Sequence, residues 1–169
     1  MYLTTLVLFI LGRFFYLILT GYLEKWYWTI FSYGWLFSLF TYELWFSYGI
    51  IGGDSAKDRG SPISNLSNAL INSLGDGLVS VAMVRVCLRS YGKSVFRKWD
   101  WGAFRFLFLI GNIQNLFVSL VIYPKLSVDR LSLSPLTPIR VPNVILTQEA
   151  WIIYPFIFYY YLINHNIIR

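Results

Sequence analysis

The chain has 169 residues, of which 57% are hydrophobic, 20% aromatic and only 13% charged. Its mean hydropathy is +0.57, and a water-soluble domain of this length needs far more polar surface to cover its core, so the composition excludes an ordinary soluble globule and predicts an integral membrane protein. The net charge of +6 lies in short stretches between apolar segments. That placement argues against nucleic acid as a partner and marks the cations as topology signals and contacts to anionic lipid.

Five apolar segments are long enough to span a bilayer, at 2–23, 27–48, 66–88, 102–123 and 148–168. They lack the strict alternation of barrel strands, and in lipid each backbone must satisfy its own polar groups, so helices are predicted. The expected fold class is all-α: one membrane domain over residues 1–169, a bundle of about five transmembrane helices.

The first segment has no basic stretch before its apolar run and no A-x-A cleavage pattern, so it reads as a retained helix and not a signal peptide. It carries Arg13 at mid-depth. A tight turn at Glu24-Lys25 leads to the second segment, which opens on Trp26, Tyr27 and Trp28, residues that favour the headgroup region. Glu43 lies roughly 8 Å in from the far end of that segment. The following loop contains Gly52-Gly-Asp-Ser-Ala-Lys-Asp-Arg-Gly60. It lacks GxxxxGK[ST] and is expected to be a flexible polar turn and no phosphate loop.

The third segment opens on Asn65-Leu-Ser-Asn-Ala-Leu-Ile-Asn-Ser-Leu-Gly-Asp-Gly77, polar groups that lipid disfavours. Asn65, Asn68, Asn72 and Asp76 recur at three- and four-residue spacing and form one stripe of a helix. Ala69, Ser73 and Gly77 form a neighbouring small-xxx-small stripe that lets another backbone approach. The Asn65-Leu-Ser67 sequon abuts the membrane and is expected to be unused. A basic connection with Arg89, Lys93, Arg97 and Lys98 follows. The fourth segment, preceded by Trp99 and Trp101, repeats the polar pattern with Asn112, Asn115 and Ser119, and with Gln114 beside them. Prolines 124, 135, 138 and 142 forbid a regular helix in the last connection. The fifth segment has Glu149 at its mouth and Tyr159, Tyr160 and Tyr161 near its end.

Helix parity places the first and third connections and the C-terminus on one side, with Lys25, Arg85, Arg89, Lys93, Arg97, Lys98, Arg105 and Arg169 at that end. The positive-inside rule makes it the cytoplasmic (or matrix or stromal) side and puts the N-terminus outside. Nearly all intramembrane polar groups then fall in the outer half. Arg13 is expected to pair with Asp76, or with Glu43, because a lone charge at mid-depth is costly.

Chemistry is restricted by what is missing. One cysteine, Cys87, allows no internal disulfide, and one histidine, His165, leaves His-rich metal chemistry and a Ser–His–Asp set without ligands. All five lysines lie in connections or at segment ends, so no buried Schiff-base lysine exists. No catalytic residue, metal site or cofactor is assigned. The expected ligand- or ion-binding residues are Glu43, Asn68, Asn72, Asp76, Asn112 and Asn115, lining an outward-facing polar cavity that binds or conducts a cation, proton or small solute. Carboxylates with Asn carbonyls suit a cation better than an anion. The inner half looks sealed, so conduction would require a homo-oligomer, a membrane complex or movement. Two other readings stand beside this one. The same carboxylates could serve a lipid- or sterol-modifying isomerase acting on a small apolar ligand, or the chain could be an accessory subunit of a larger membrane complex. The lipid bilayer is a partner in all three.

Overall fold

The computed structural model describes residues 2–50, 63–122, 143–165 and 167–168, and these are helical with no strand among them. Helix α1 spans Tyr2–Leu19 and α2 spans Trp26–Ser38. A π-helical turn, Leu39–Glu43, joins α2 to the short α3, Leu44–Ser47. The long α4 covers Asn65–Tyr91. A 3₁₀ turn, Lys93–Phe96, leads to α5, Trp101–Phe117, which ends in a second π-helical turn, Val118–Ile122. The last helix, α6, covers Asn143–Asn164 and contains Pro155. Residues 51–62 and 123–142, and the side chains of Ser119 and Glu149, lie outside the described residues.

Local chemistry sets several of these boundaries. Ser64 adopts an extended backbone and its hydroxyl accepts from the Ser67 amide at 3.1 Å, so α4 starts at Asn65. Asp100 caps α5 in the same way, accepting from the Ala103 amide at 2.8 Å. Gly92, at φ +76°, ends α4 in a conformation that side chains disfavour.

The main packing unit is α2 against α4, with α6 packed on α5 and touching α2. The shared core includes Ile30, Phe31, Met83, Val84, Cys87, Phe96, Leu107, Phe158, Tyr159 and Leu162, all buried. Gly77 admits α2 so closely that a β-carbon there would sit 2.9 Å from both the Phe31 carbonyl oxygen and the Phe31 ring.

One end of the bundle is fixed by three contacts. Lys93 pairs with Glu24 at 3.0 Å, joining the α1–α2 turn to the α4–α5 connection. Tyr159 donates to the Val95 carbonyl at 2.6 Å and accepts from the Asp100 amide at 3.2 Å, which brings the C-terminal part of α6 to the same place. Lys25, Arg85, Arg89, Arg97, Lys98 and Arg105 are exposed around this end.

Helical stretches overlap each of the five expected apolar segments. By length and apolarity, one described helix, Asn65–Tyr91, is sufficient to cross a membrane, with a hydropathy of 1.4. Leu8–Leu19 and Ile152–Asn164 are apolar but shorter.

Candidate functional site

A seam of polar groups runs along the α2–α4 contact. Starting from the basic end, Gly34 faces Ser80: a β-carbon on Gly34 would collide with the Ser80 hydroxyl. The Ser80 hydroxyl donates to the Asp76 backbone carbonyl at 2.9 Å and shares a 2.5 Å hydrogen bond with the Tyr154 hydroxyl of α6. One turn further, the Ser38 hydroxyl donates to the Asp76 carboxylate. Beyond the π turn, Asn68 donates through its amide nitrogen to the Ser47 hydroxyl at 3.1 Å. Ser47, Ser73 and Ser80 are fully buried, and Glu43 is only 3% exposed.

The π turn decides which residues of the second helix reach this seam. Gly34 and Ser38 share a face. In a regular α-helix that face continues near Thr41 and Trp45, and a residue five positions on from Ser38 lies about 140° away. A π turn closes i to i+5 instead, so the face continues through Glu43 and Ser47. Burial follows that pattern: Glu43 and Ser47 are buried, while Trp45 is 46% exposed and Thr41 is exposed. The pairings also require an extra residue. Ser38 and Ser47 are nine apart, and their partners Asp76 and Asn68 are eight apart. Glu43 thereby comes level with Ile71 and Asn72 of α4.

The residues named from sequence distribute unevenly. Asn68, Asp76 and Glu43 meet in the seam, and Asn72 is partly buried on the same stripe of α4. On α5, Asn115 is buried, and Asn112 donates to the Phe108 carbonyl of its own helix at 2.8 Å. Gln114 holds a buried side-chain oxygen with no hydrogen-bond partner among the described residues.

The expected ion pair of Arg13 with Asp76 or Glu43 is not formed. Arg13 is exposed on α1, with its guanidinium carbon 5.2 Å from the Tyr16 ring centroid. The physical reason is the rotation of α1: Leu11 and Phe14 turn inward, which carries Arg13 outward. A serine hydroxyl takes the place of the cation at Asp76.

Gly34, Ser38, Ser47, Ser80 and Tyr154 belong to the seam without having been singled out from sequence. A small or hydroxyl residue four positions from another was the available signal on α2 and α4. Nothing local marked Tyr154 apart from its aromatic neighbours.

Outside the seam, Glu24 accepts from the Trp26 indole at 2.6 Å as well as from Lys93, and these contacts, the Trp26 hydrogen bond foremost, hold its carboxyl below the ordinary value. Among the described residues no group of three or more His, Cys, Asp or Glu side chains is arranged to hold a metal ion. Compared with protein-family models, with curated proteins and with solved structures, the chain matches none.

Proposed function

We propose that this chain is a polytopic membrane protein of five spanning helices whose α2–α4 seam takes up a proton or a small cation. The observation that carries the reading is the inverted distribution of polarity. Of two carboxylates along the seam, Glu43 is buried and Asp76 is half-buried and bonded to Ser38, while the outside of the helices is apolar. Phe9 is 73% exposed, Leu19 85% and Ile113 62%. A membrane supplies the solvent such a surface requires, and ionisable groups held within a membrane bundle mark proton or ion pathways by default.

In this reading α2 and α3 act as one span, with the π turn in its path, and α1 and α6, whose apolar stretches are shorter, cross with the help of flanking aromatic and cationic residues. The basic end faces the cytoplasm (or matrix or stroma). Glu43 and Asp76 accept the proton or cation, the Asn68 and Asn72 carboxamides supply further oxygen, and Ser38 orients the Asp76 carboxylate.

The test is reconstitution of the purified chain into liposomes containing a pH-sensitive dye. The wild type is expected to dissipate an imposed proton or monovalent-cation gradient, and Asp76→Asn or Glu43→Gln to return the flux to that of empty liposomes. Glu24→Gln, at the bundle end, should leave it unchanged. Flux indifferent to both seam variants would sink the proposal. Turnover of a lipid lost with Glu43→Gln would favour a lipid-modifying enzyme, and a stoichiometric complex indifferent to both variants an accessory subunit.

A further inference from the structure

Arg13 is a cation on the outer flank of an apolar helix. It is roughly 9 Å from the end of α1 at Leu19, and among the described residues no acid lies within ion-pair range of it. Beside it, Gly12 has nothing within 4 Å of the place its β-carbon would occupy, and Phe9 and Tyr16 are exposed. The flank therefore combines a cation with an apolar surface that no neighbouring group covers at Gly12.

The position of Arg13 relative to α4 follows from the packing. Phe14 meets Phe31 at 5.1 Å between ring centroids and Phe15 meets Trp28 at 5.3 Å, so α1 and α2 run antiparallel. The pairs Ser38–Asp76 and Gly34–Ser80 set α2 against α4 in the same sense. Helices α1 and α4 touch each other and thus run parallel. Carrying the register across α2 puts Arg13 about one turn, or ~5 Å, short of Arg85 along the bundle. Arg85 and Arg89 are one turn apart on α4 and exposed, and neither has an acid within ion-pair range among the described residues. The Arg13 guanidinium lies over Tyr16, one turn nearer the end of α1, so it is turned toward the level of Arg85.

We propose that Arg13, Arg85 and Arg89 form a binding site on the α1–α4 flank for the phosphate of an anionic phospholipid, with an acyl chain laid over Gly12 and Phe9. The site rests on the reading of the chain as membrane-spanning. Guanidinium groups suit it because each presents a planar fork to phosphate oxygens and is less strongly hydrated than an ammonium. Neighbouring helix axes lie about 8–10 Å apart, so arginines on both can converge on one phosphate. A phosphate there neutralises cations that the lipid flank otherwise disfavours. The exposed apolar surface beside Arg13 distinguishes a lipid from free phosphate.

The full chain, purified in zwitterionic detergent, is titrated with phosphatidylglycerol or phosphatidylcholine while lipid adducts are counted by native mass spectrometry. Phosphatidylglycerol should remain bound at detergent concentrations that strip phosphatidylcholine, and R13Q/R85Q should lose that preference. R13K/R85K keeps the charge without the fork and should retain an intermediate preference, which guards against a folding defect in the neutral variant. R97Q/K98Q removes equal charge from the nearby connection and should behave as wild type. Loss of preference in R97Q/K98Q equal to that in R13Q/R85Q overturns the site in favour of a diffuse basic collar. Inorganic phosphate displacing the lipid at equal concentration overturns the lipid assignment. Flotation with alkaline-washed liposomes separates the two proposals. A chain that floats but shows no lipid preference overturns this site alone, and a chain that does not float overturns both.

Discussion

Gly77 and Gly75 are two residues apart on α4 and carry opposite predictions. A methyl at Gly77 meets the Phe31 carbonyl and ring at 2.9 Å, whereas nothing lies within 4 Å of a methyl at Gly75. The backbone carbonyl cannot swing aside as a side chain could. Gly77→Ala should therefore force α2 and α4 apart and lower the melting temperature in detergent, with overpacking costing about 1–3 kcal/mol. Gly75→Ala should raise it, since an unobstructed Gly in a helix costs about 0.5–1 kcal/mol relative to Ala. Equal melting temperatures for the two variants would contradict the close approach.

Glu24 makes a pH-dependent prediction at the same scale. Its carboxyl is held below its ordinary value of 4.5, chiefly by the Trp26 indole and then by Lys93. A lowered folded value means that ionised Glu24 stabilises the fold above the unfolded value and loses that contribution as pH falls through the folded one. The melting temperatures of wild type and Glu24→Gln should differ at neutral pH and converge in acid. Both partners are about half exposed, so screening keeps the difference small, within about 1 kcal/mol.

At the scale of elements, the π turn at Leu39–Glu43 joins α2 and α3 into one helix with two registers. Its extra residue lets Gly34 and Ser38 on one side, and Glu43 and Ser47 on the other, face α4 together. Deleting the exposed Thr41 removes that residue and leaves Glu43 four positions from Ser38, as a regular helix requires. This deletion should fold with a melting temperature close to that of the wild type. Deleting Gly75 from the regular α4 should not, because it rotates Asn68 and its neighbours by about 100° against Asp76. Comparing the two in detergent melts tests whether the π turn absorbs a surplus residue. In the membrane setting proposed above, burying apolar side chains between helices gains little over leaving them in acyl chains. Close backbone contact at Gly34 and Gly77 and the bonds of Ser38, Ser80 and Tyr154 therefore carry more of the α2–α4–α6 association than their number implies.

At the scale of the whole molecule, the Glu24–Lys93 pair and the Tyr159 contacts place the α1–α2 turn, the α4–α5 connection and the end of α6 together. Asn65 lies at the opposite end of α4. In a Cys87→Ala background, single cysteines at positions 25, 93 and 97 should react with an impermeant thiol reagent from one side of a vesicle, and one at position 65 from the other. Labelling of positions 25 and 93 from opposite sides would break the topology. Tyr159 shows how differently one residue reads at two scales. In sequence it is one of three consecutive tyrosines suited to a headgroup belt. In the fold it is buried and bonds both the Val95 carbonyl and the Asp100 amide, while Tyr160 is exposed.

Sequence alone determined the all-helical class, the approximate helix limits and the facing of the α4 stripes, because these follow from apolar run length and from a 3.6-residue period. It also identified Asn68 and Asp76, whose polarity stands out against their apolar neighbours. The tertiary structure decided their partners. Arg13 was the natural mate for a mid-depth carboxylate on grounds of charge and depth, but both are properties of position along a helix, and pairing depends also on rotation about it. Once Leu11 and Phe14 turn α1 inward, Arg13 faces away and Ser38 bonds Asp76. Glu43 was expected at the cavity from its polarity and depth, but the face it takes depends on the π turn: a single wide turn changes the face of every residue after it, and no apolar periodicity in Leu39–Ser47 announces it.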